Sequence, residues 1–283
     1  MSVRLIVDSA SDISALYAEE KNMVMIPMKL TMGGEEWIDG QTLSTKEFYD
    51  RLNPREALPK TSMINSFEYE QVFRQLQESG DEGIVITLSE KLSGTCQAAR
   101  VAAAEFPNIH VVDSLQVTIS LQILILYAQK LIDEGMSAAQ VVEACEAVKG
   151  RIRLVALVDT LEYLKKGGRI SPAIAAVGGL LKIKPVLEMK DGELSMAGKA
   201  RGTHAGNNLL TEKVQEAGGI DFDMPIALGY SGNDDSMLRA YIDGSRRLWE
   251  GKVEELPICQ IGCTIGTHAG PGAVAVGFFA KEN

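Results

Sequence analysis

The chain has 283 residues, 46% hydrophobic and 23% charged, with 28 Lys+Arg against 38 Asp+Glu for a formal net charge of −10. This is the composition of a globular chain of one large domain or two ordinary ones, and it excludes a disordered tail. An acidic chain with no dense Lys/Arg stripe is a poor match for a phosphate backbone, so nucleic acid is excluded as the expected partner.

The opening Val3-Arg4-Leu5-Ile6-Val7-Asp8 puts an acid where a secretory signal needs an unbroken apolar run, so secretion is not expected. A first strand is predicted at Val3–Val7, followed by strands at 23–30, 83–88 and 109–112. Helical patterns lie between and after them at 45–52, 66–78, 93–105 and 115–134, the alternation of a mostly parallel sheet flanked by helices. The run from Val117 to Ile132 is interrupted by Ser120, Gln122 and Gln129 and is shorter than the roughly 20 residues that span a bilayer, so it reads as a buried helix. Two strands end alike, in Val7-Asp8-Ser9 and Val112-Asp113-Ser114, crowding polar groups at the sheet edge where ligands bind.

A new strand at 151–158 marks a change of texture, which divides the chain into 1–150 and 151–283. Asp191-Gly192 predicts a hairpin turn with positive φ at both central residues. A strand at 225–230, a helix at 234–249 and a strand at 272–279 complete a second α/β domain with antiparallel content. Four cysteines spread over the chain, Cys96, Cys145, Cys259 and Cys263, argue against a disulfide framework and for a reducing cytoplasm. Only Cys259 and Cys263 are close, with no second pair to complete a metal site, so no metal is expected.

Several short motifs carry chemistry. Ser93 in Leu92-Ser93-Gly94-Thr95 is placed to cap a helix whose free N–H groups attract an anion. Lys60-Thr61-Ser62 offers two hydroxyls from a loop on the same side of the sheet, equally suited to turn and capping duty. His268 lies in a glycine-rich turn, Gly266-Thr267-His268-Ala269-Gly270-Pro271-Gly272, where backbone and ring can approach a ligand. His110 reads as a strand core residue and His204 as a first-turn helix residue. Helix capping explains most of Leu164-Lys165-Lys166-Gly167-Gly168-Arg169-Ile170-Ser171-Pro172, but leaves Arg169 free to meet an anion, and Arg201 is a second such cation. The chain has no Walker loop and no dinucleotide fingerprint after the first strand, hence no nucleotide signature of its own. Asp8, Ser9 and Asp12 admit a weak phosphatase reading in which Asp12 and Ser14 serve equally well as helix caps.

In order along the chain, Val7-Asp8-Ser9-Ala10-Ser11-Asp12, Asp39-Gly40 with Glu47-Phe48-Tyr49, Pro59-Lys60-Thr61-Ser62, Leu92-Ser93-Gly94-Thr95, Val112-Asp113-Ser114, the 161–171 segment, Lys184-Pro185 and His268-Ala269-Gly270-Pro271-Gly272-Ala273 resemble the DegV family of bacterial fatty-acid-binding proteins. The resemblance runs through essentially the whole chain. It implies a two-domain α/β protein that holds a long-chain fatty acid such as palmitate or stearate between its domains, without cofactor or metal. It implies a carboxylate site at Thr61, Ser93 and His268, with Ser62, Gly94 and Thr95 in the same motifs. It further implies presentation of the acid to a separate ATP-binding fatty acid kinase subunit, which forms an acyl phosphate. Arg169 and Arg201 would then meet the phosphoryl group or that subunit, and membrane contact would be transient at most. The alternative from a different class is an acyl hydrolase or transferase using Ser93 and His268. The chain departs from the family pattern at Met63-Ile64, along 115–122, where bulkier residues bear on the acyl chain accepted, and at Cys96, a smaller side chain that leaves extra room.

Overall fold

The computed structural model describes residues 2–52, 58–175 and 183–282. From the N-terminus come β1 (Val3–Asp8), α1 (Ala15–Glu20), β2 (Val24–Ile26), β3 (Lys29–Met32), β4 (Glu35–Ile38), α2 (Thr45–Arg51) and β5 (Lys60–Ser62). They are followed by α3 (Ser66–Ser79), β6 (Glu82–Thr87), α4 (Thr95–Ala103), β7 (Ile109–Asp113), α5 (Thr118–Asp133) and α6 (Ala138–Val148). After residue 150 the elements are β8 (Ile152–Leu157), α7 (Glu162–Gly167), α8 (Pro172–Ala175), β9 (Ile183–Lys190), β10 (Glu193–Arg201) and α9 (Thr203–Glu216). The chain closes with β11 (Ala227–Tyr230), α10 (Ser236–Gly244), β12 (Ile258–Gln260), α11 (Cys263–Ala269) and β13 (Val274–Phe279).

The expected α/β architecture is present. A parallel sheet in the order β2-β1-β6-β7 carries the first half. A six-stranded sheet, β10-β9-β8-β13-β11-β12, carries the second and is antiparallel except for the β11–β12 pair. A small antiparallel sheet, β4-β3-β5, completes the set. The stretch 23–30, expected as one strand, divides into β2 and β3, which join different sheets. The hairpin turn has the expected backbone, with φ of 50° at Asp191 and 82° at Gly192. The helix expected at 234–249 ends at Gly244 and continues only as a short 3-10 turn, Arg246–Leu248.

The apolar run Val117–Ile132 forms α5, whose Ile119, Leu121, Ile123, Leu124, Ile125 and Ala128 are fully buried. A helix buried on nearly every side needs cover on both faces. Here the cover is β1 on one side and β8, β11 and β13 on the other, and the two halves of the chain share one core around it. Among the described residues, no helix is long and apolar enough to cross a membrane.

The two Val-Asp-Ser endings have a common task. Asp8 on β1 accepts the Ala10 N–H at 3.0 Å and the Leu88 N–H at 3.0 Å. Asp113 on β7 accepts the Leu115 N–H at 3.0 Å and the Glu90 N–H at 3.3 Å. These strands flank β6, so the two carboxylates grip the segment leaving β6 from either side, just before it delivers Ser93.

Candidate functional site

The second sheet alternates small and large side chains across its two faces. On β13, Val274, Val276 and Phe278 pack with Val155 and Leu157 of β8 in the outer core, while Ala275 faces inward, paired in register with Ala156. Period-two alternation puts these two alanines on one face, and their short side chains leave room beneath α5. The resulting cavity holds about 870 Å³ of empty space including its mouth, within the range of small-molecule sites. Its walls are mainly apolar, including Met28, Leu88, Leu154, Leu187, Ile261 and Ile265, and its polar groups include Thr61, Ser93, Arg169 and His268.

His268 sits in the last turn of α11, not in an open glycine-rich turn as expected. The helix start is held from the first half of the chain: Asp12 accepts the Gly262 N–H at 2.8 Å, and Asp39 accepts the N–H groups of Cys263 and Thr264. Gly266 lets α11 lie against Tyr49 and Phe48; a Cβ there would stand 2.5 Å from the Tyr49 hydroxyl. Tyr49 in turn donates to the Ile261 carbonyl at 2.9 Å.

Lys60-Thr61-Ser62, expected as a loop, is the edge strand β5, and its pairing with β3 fixes the direction of Thr61. Thr61 Oγ1 lies 2.9 Å from His268 Nε2, while His268 Nδ1 is buried without a partner. A neutral ring in this setting is best satisfied with its proton on Nε2, donating to Thr61, because an orphaned N–H would cost more than an orphaned lone pair. The Thr61 hydroxyl proton is then free to donate into the cavity. Burial, with the nearby Arg169 guanidinium adding to it, pushes the His268 pKa down to about 4. The imidazole of the ligand-free chain is therefore neutral at pH 7, and its Nε2 is held against the Thr61 hydroxyl.

This has a measurable consequence. A folded-state pKa near 4 against an ordinary 6.5 means that the stability from keeping this ring neutral is complete above pH 6.5 and is lost as pH falls towards 4. We expect wild type to lose stability relative to His268→Gln by about 1.4 kcal/mol per pH unit between pH 6 and 5. Parallel urea curves for the two proteins over that interval would show the ring to be already charged when folded.

Ser93 lies one residue before the N-cap of α4, which is Gly94, so it does not cap the helix as expected. Its Oγ pairs with Thr95 Oγ1 at 2.9 Å and accepts the Thr95 N–H at 3.3 Å. Thr95 is fully buried and also accepts the Ile64 N–H at 3.4 Å, tying the Ser93 turn to the chain that follows Thr61. Ser93 is thus engaged with Thr95 and His268 with Thr61, and no hydrogen bond joins Ser93 to His268 as a nucleophile–base pair requires. Gly94 and Ser62 are exposed and, like Thr95, do not line the cavity.

Arg169 lines the cavity beside His268, donating from Nε to the Leu92 carbonyl at 3.2 Å and from Nη1 to the Gly167 carbonyl at 2.6 Å. Arg201 is elsewhere. It is exposed at the open end of the β9–β10 hairpin, eight residues from the first residue of β10, Glu193, hence roughly 26 Å along the strand from the tip that packs near Ser89 and Lys91.

The three departures also find places. Met63 lines the mouth over Gly94, and Ile64 is buried in the core. Val117 and Thr118 line the cavity; Thr118 adopts φ of 52°, a conformation β-branched residues rarely take, while its hydroxyl donates to Asp12 at 2.5 Å. Cys96 is buried outside the cavity wall and opens no room in it. The roles of Asp12, Asp39 and Gly167 were not drawn from the sequence. Each lies in a short motif of the sequence, but its partner is distant along the chain: Gly262 for Asp12, Cys263 and Thr264 for Asp39, and His268 for Gly167.

A family model described as "Uncharacterised protein, DegV family" matches residues 2–281. A DegV domain-containing protein of Deinococcus radiodurans is 32% identical over 281 residues, covering 98% of each chain. Another from Caldanaerobacter subterraneus is 32% identical over 282 residues, covering 99% of each. Among solved structures, the DegV family protein of Thermus thermophilus, described by its fatty acid binding, superposes with a TM-score of 0.89 at 29% identity, covering 99% of this chain and 100% of that one. A stearic acid-binding protein of Eubacterium ventriosum superposes with a TM-score of 0.86 at 27% identity, covering 98% and 97%. With the family match spanning almost its entire length, this chain belongs to the DegV family.

Proposed function

We propose that the protein holds one long-chain fatty acid, with its tail in the apolar cavity and its carboxylate at Thr61, Ser93 and His268. The observation that carries this reading is the cavity itself: apolar along its length, with the Thr61–His268 pair, Ser93 and Arg169 among its few polar groups. The fatty-acid-binding descriptions of the Thermus and Eubacterium relatives support it. Burying about fifteen methylenes at about 0.8 kcal/mol each contributes on the order of 12 kcal/mol before ordering costs. Palmitate and stearate are the expected ligands, held without metal or cofactor. Ser62, Gly94 and Thr95 contribute by shaping the two hydroxyl-bearing segments, and the units 1–150 and 151–283 close on the ligand from either side.

The protein then presents the acid, in the cytoplasm, to a separate ATP-dependent kinase subunit. A carboxylate oxygen attacks the γ-phosphorus of ATP, the bond to the β–γ bridging oxygen breaks, and acyl phosphate and ADP result. This chain supplies orientation and no turnover of its own. Arg201, exposed and outside the cavity wall, is suited to the partner subunit or to the phosphoryl group that the subunit brings. The test is reconstitution with the ATP-binding subunit of a bacterial fatty acid kinase, trapping acyl phosphate with hydroxylamine. Formation that depends on both proteins is expected; hydroxamate from this chain with an acyl ester, and none with ATP and kinase, would instead favour the Ser93 acyl-transfer chemistry. Arg169→Ala is expected to hold palmitate within about threefold of wild type and to lower acyl phosphate formation at least about tenfold, the effect of losing a charged hydrogen-bond donor. Loss of palmitate as well would assign Arg169 to carboxylate binding.

A further inference from the structure

A second cleft opens on the other side of Arg169. It is lined by Lys91, Gly168, Arg169, Ser171, Lys190 and Ser195 among others, and it shares Leu92, Arg169 and Leu194 with the fatty-acid cavity. Its location is set by the docking of the β9–β10 hairpin tip: the buried Ser89 hydroxyl donates to the Gly192 carbonyl at 2.7 Å, and a Cβ on Gly192 would stand 3.2 Å from Lys91 Cγ. The tip thereby brings Lys190 to the same cleft as Lys91. Arg169 directs Nε and Nη1 to backbone carbonyls and has no hydrogen bond from Nη2 among the described residues.

In a chain of net charge −10, a convergence of three cations calls for a reason. None of Lys91, Arg169 and Lys190 forms an ion pair among the described residues, although Asp191 and Glu193 lie along the same cleft. Those two acids leave an excess of one positive charge, and Ser171 and Ser195 add hydroxyls. Arg169 lines both the cleft and the apolar cavity, and Lys91 adjoins the Leu92-Ser93 segment, where the proposed carboxylate sits. A head group larger than a carboxylate, and more highly charged, would extend from that point into this cleft.

We propose that the cleft is a phosphoryl subsite: it holds the phosphate head of an acyl or alkyl phosphate whose tail occupies the adjoining cavity, with Lys91 and Lys190 joining Arg169 as its cations. The inference rests on the fatty-acid reading of the cavity and adds to it a preference for the phosphorylated ligand. Tetrahedral phosphate presents three oxygens, and several charged donors converging from different elements suit it better than they suit a planar carboxylate.

The test compares palmitate with hexadecyl phosphate, a hydrolysis-resistant stand-in, on delipidated wild type and on Lys91→Ala/Lys190→Ala. Both lysines are exposed, so the fold is expected to survive. The expected result is a palmitate Kd within about twofold of wild type and a hexadecyl phosphate Kd weakened about tenfold or more, as for loss of charge-assisted contacts. Unchanged hexadecyl phosphate binding, or equal loss for both ligands, overturns the subsite. If wild type binds hexadecyl phosphate in a lysine-dependent way but ignores palmitate, the subsite stands and the fatty-acid reading fails. If it binds neither, both fail.

Discussion

Gly270→Ala should destabilise the protein by about 3–5 kcal/mol, combining backbone strain with overpacking. Gly270 ends α11 with φ of 69° and ψ of 177°, a region essentially reserved for glycine. A Cβ there would also run into the Tyr163 ring, 2.5 Å from Cε2, and Tyr163 is only 5% exposed, so the ring has nowhere to turn. The carbonyl of Gly270 accepts the Ser231 hydroxyl at 2.6 Å, which prevents the backbone from relaxing cheaply. Because the strained residue follows His268 by two positions, the cost falls on the segment that places the imidazole. Urea denaturation measures it; a change under about 1 kcal/mol would mean that the turn is not held in this conformation.

Gly167→Ala should do the opposite, sparing the fold and removing the ligand. Gly167 is the last residue of α7 and its φ is not in the left-handed region, so alanine suits the backbone there and gains helix propensity of about 0.5–1 kcal/mol. Its methyl group, however, would be driven into the His268 ring, 2.9 Å from Cε1 and closer still to Nδ1. The imidazole must swing away, and the 2.9 Å contact with Thr61 goes with it. Without that contact the Thr61 hydroxyl loses its orientation towards the carboxylate. A hydrogen bond to a charged group contributes about 1.5–3 kcal/mol, so palmitate affinity should fall about 10- to 100-fold while the urea midpoint moves little. Wild-type affinity in this variant would show that the ring position does not matter to binding.

The alternating strands and helices are legible because apolar runs such as those of α5 and β13 stand out from their polar and glycine-rich flanks, and their length separates helix from strand. The Val-Asp-Ser endings were legible as an edge of polar groups, but their joint grip on the β6 exit was not, since the sheet order that puts β1 and β7 on either side of β6 is a long-range fact. β5 is not legible as a strand because three residues, Lys60–Ser62, leave no alternation to read. The helix under His268 is not legible for an energetic reason. Cys263-Thr264-Ile265-Gly266-Thr267 has poor helix propensity, with three β-branched residues and a glycine. It is helical because Asp39 satisfies its first N–H groups and because Gly266 fits against Phe48 and Tyr49, all from the other half of the chain. Thr61, Ser93, Arg169 and His268 are legible as candidates, and all four line the cavity, whereas Arg201, legible as a cation following the hairpin and through the family resemblance, lies outside the cavity wall.

The most direct measurement is of the protein as purified from its bacterial host: its mass under native and denaturing conditions, with solvent extraction of whatever differs. A difference equal to one long-chain fatty acid, recovered in the extract and restored by adding palmitate to stripped protein, is the predicted result. A protein whose two masses agree, and which takes up no palmitate when it is offered, would contradict the assignment of the cavity to a fatty acid.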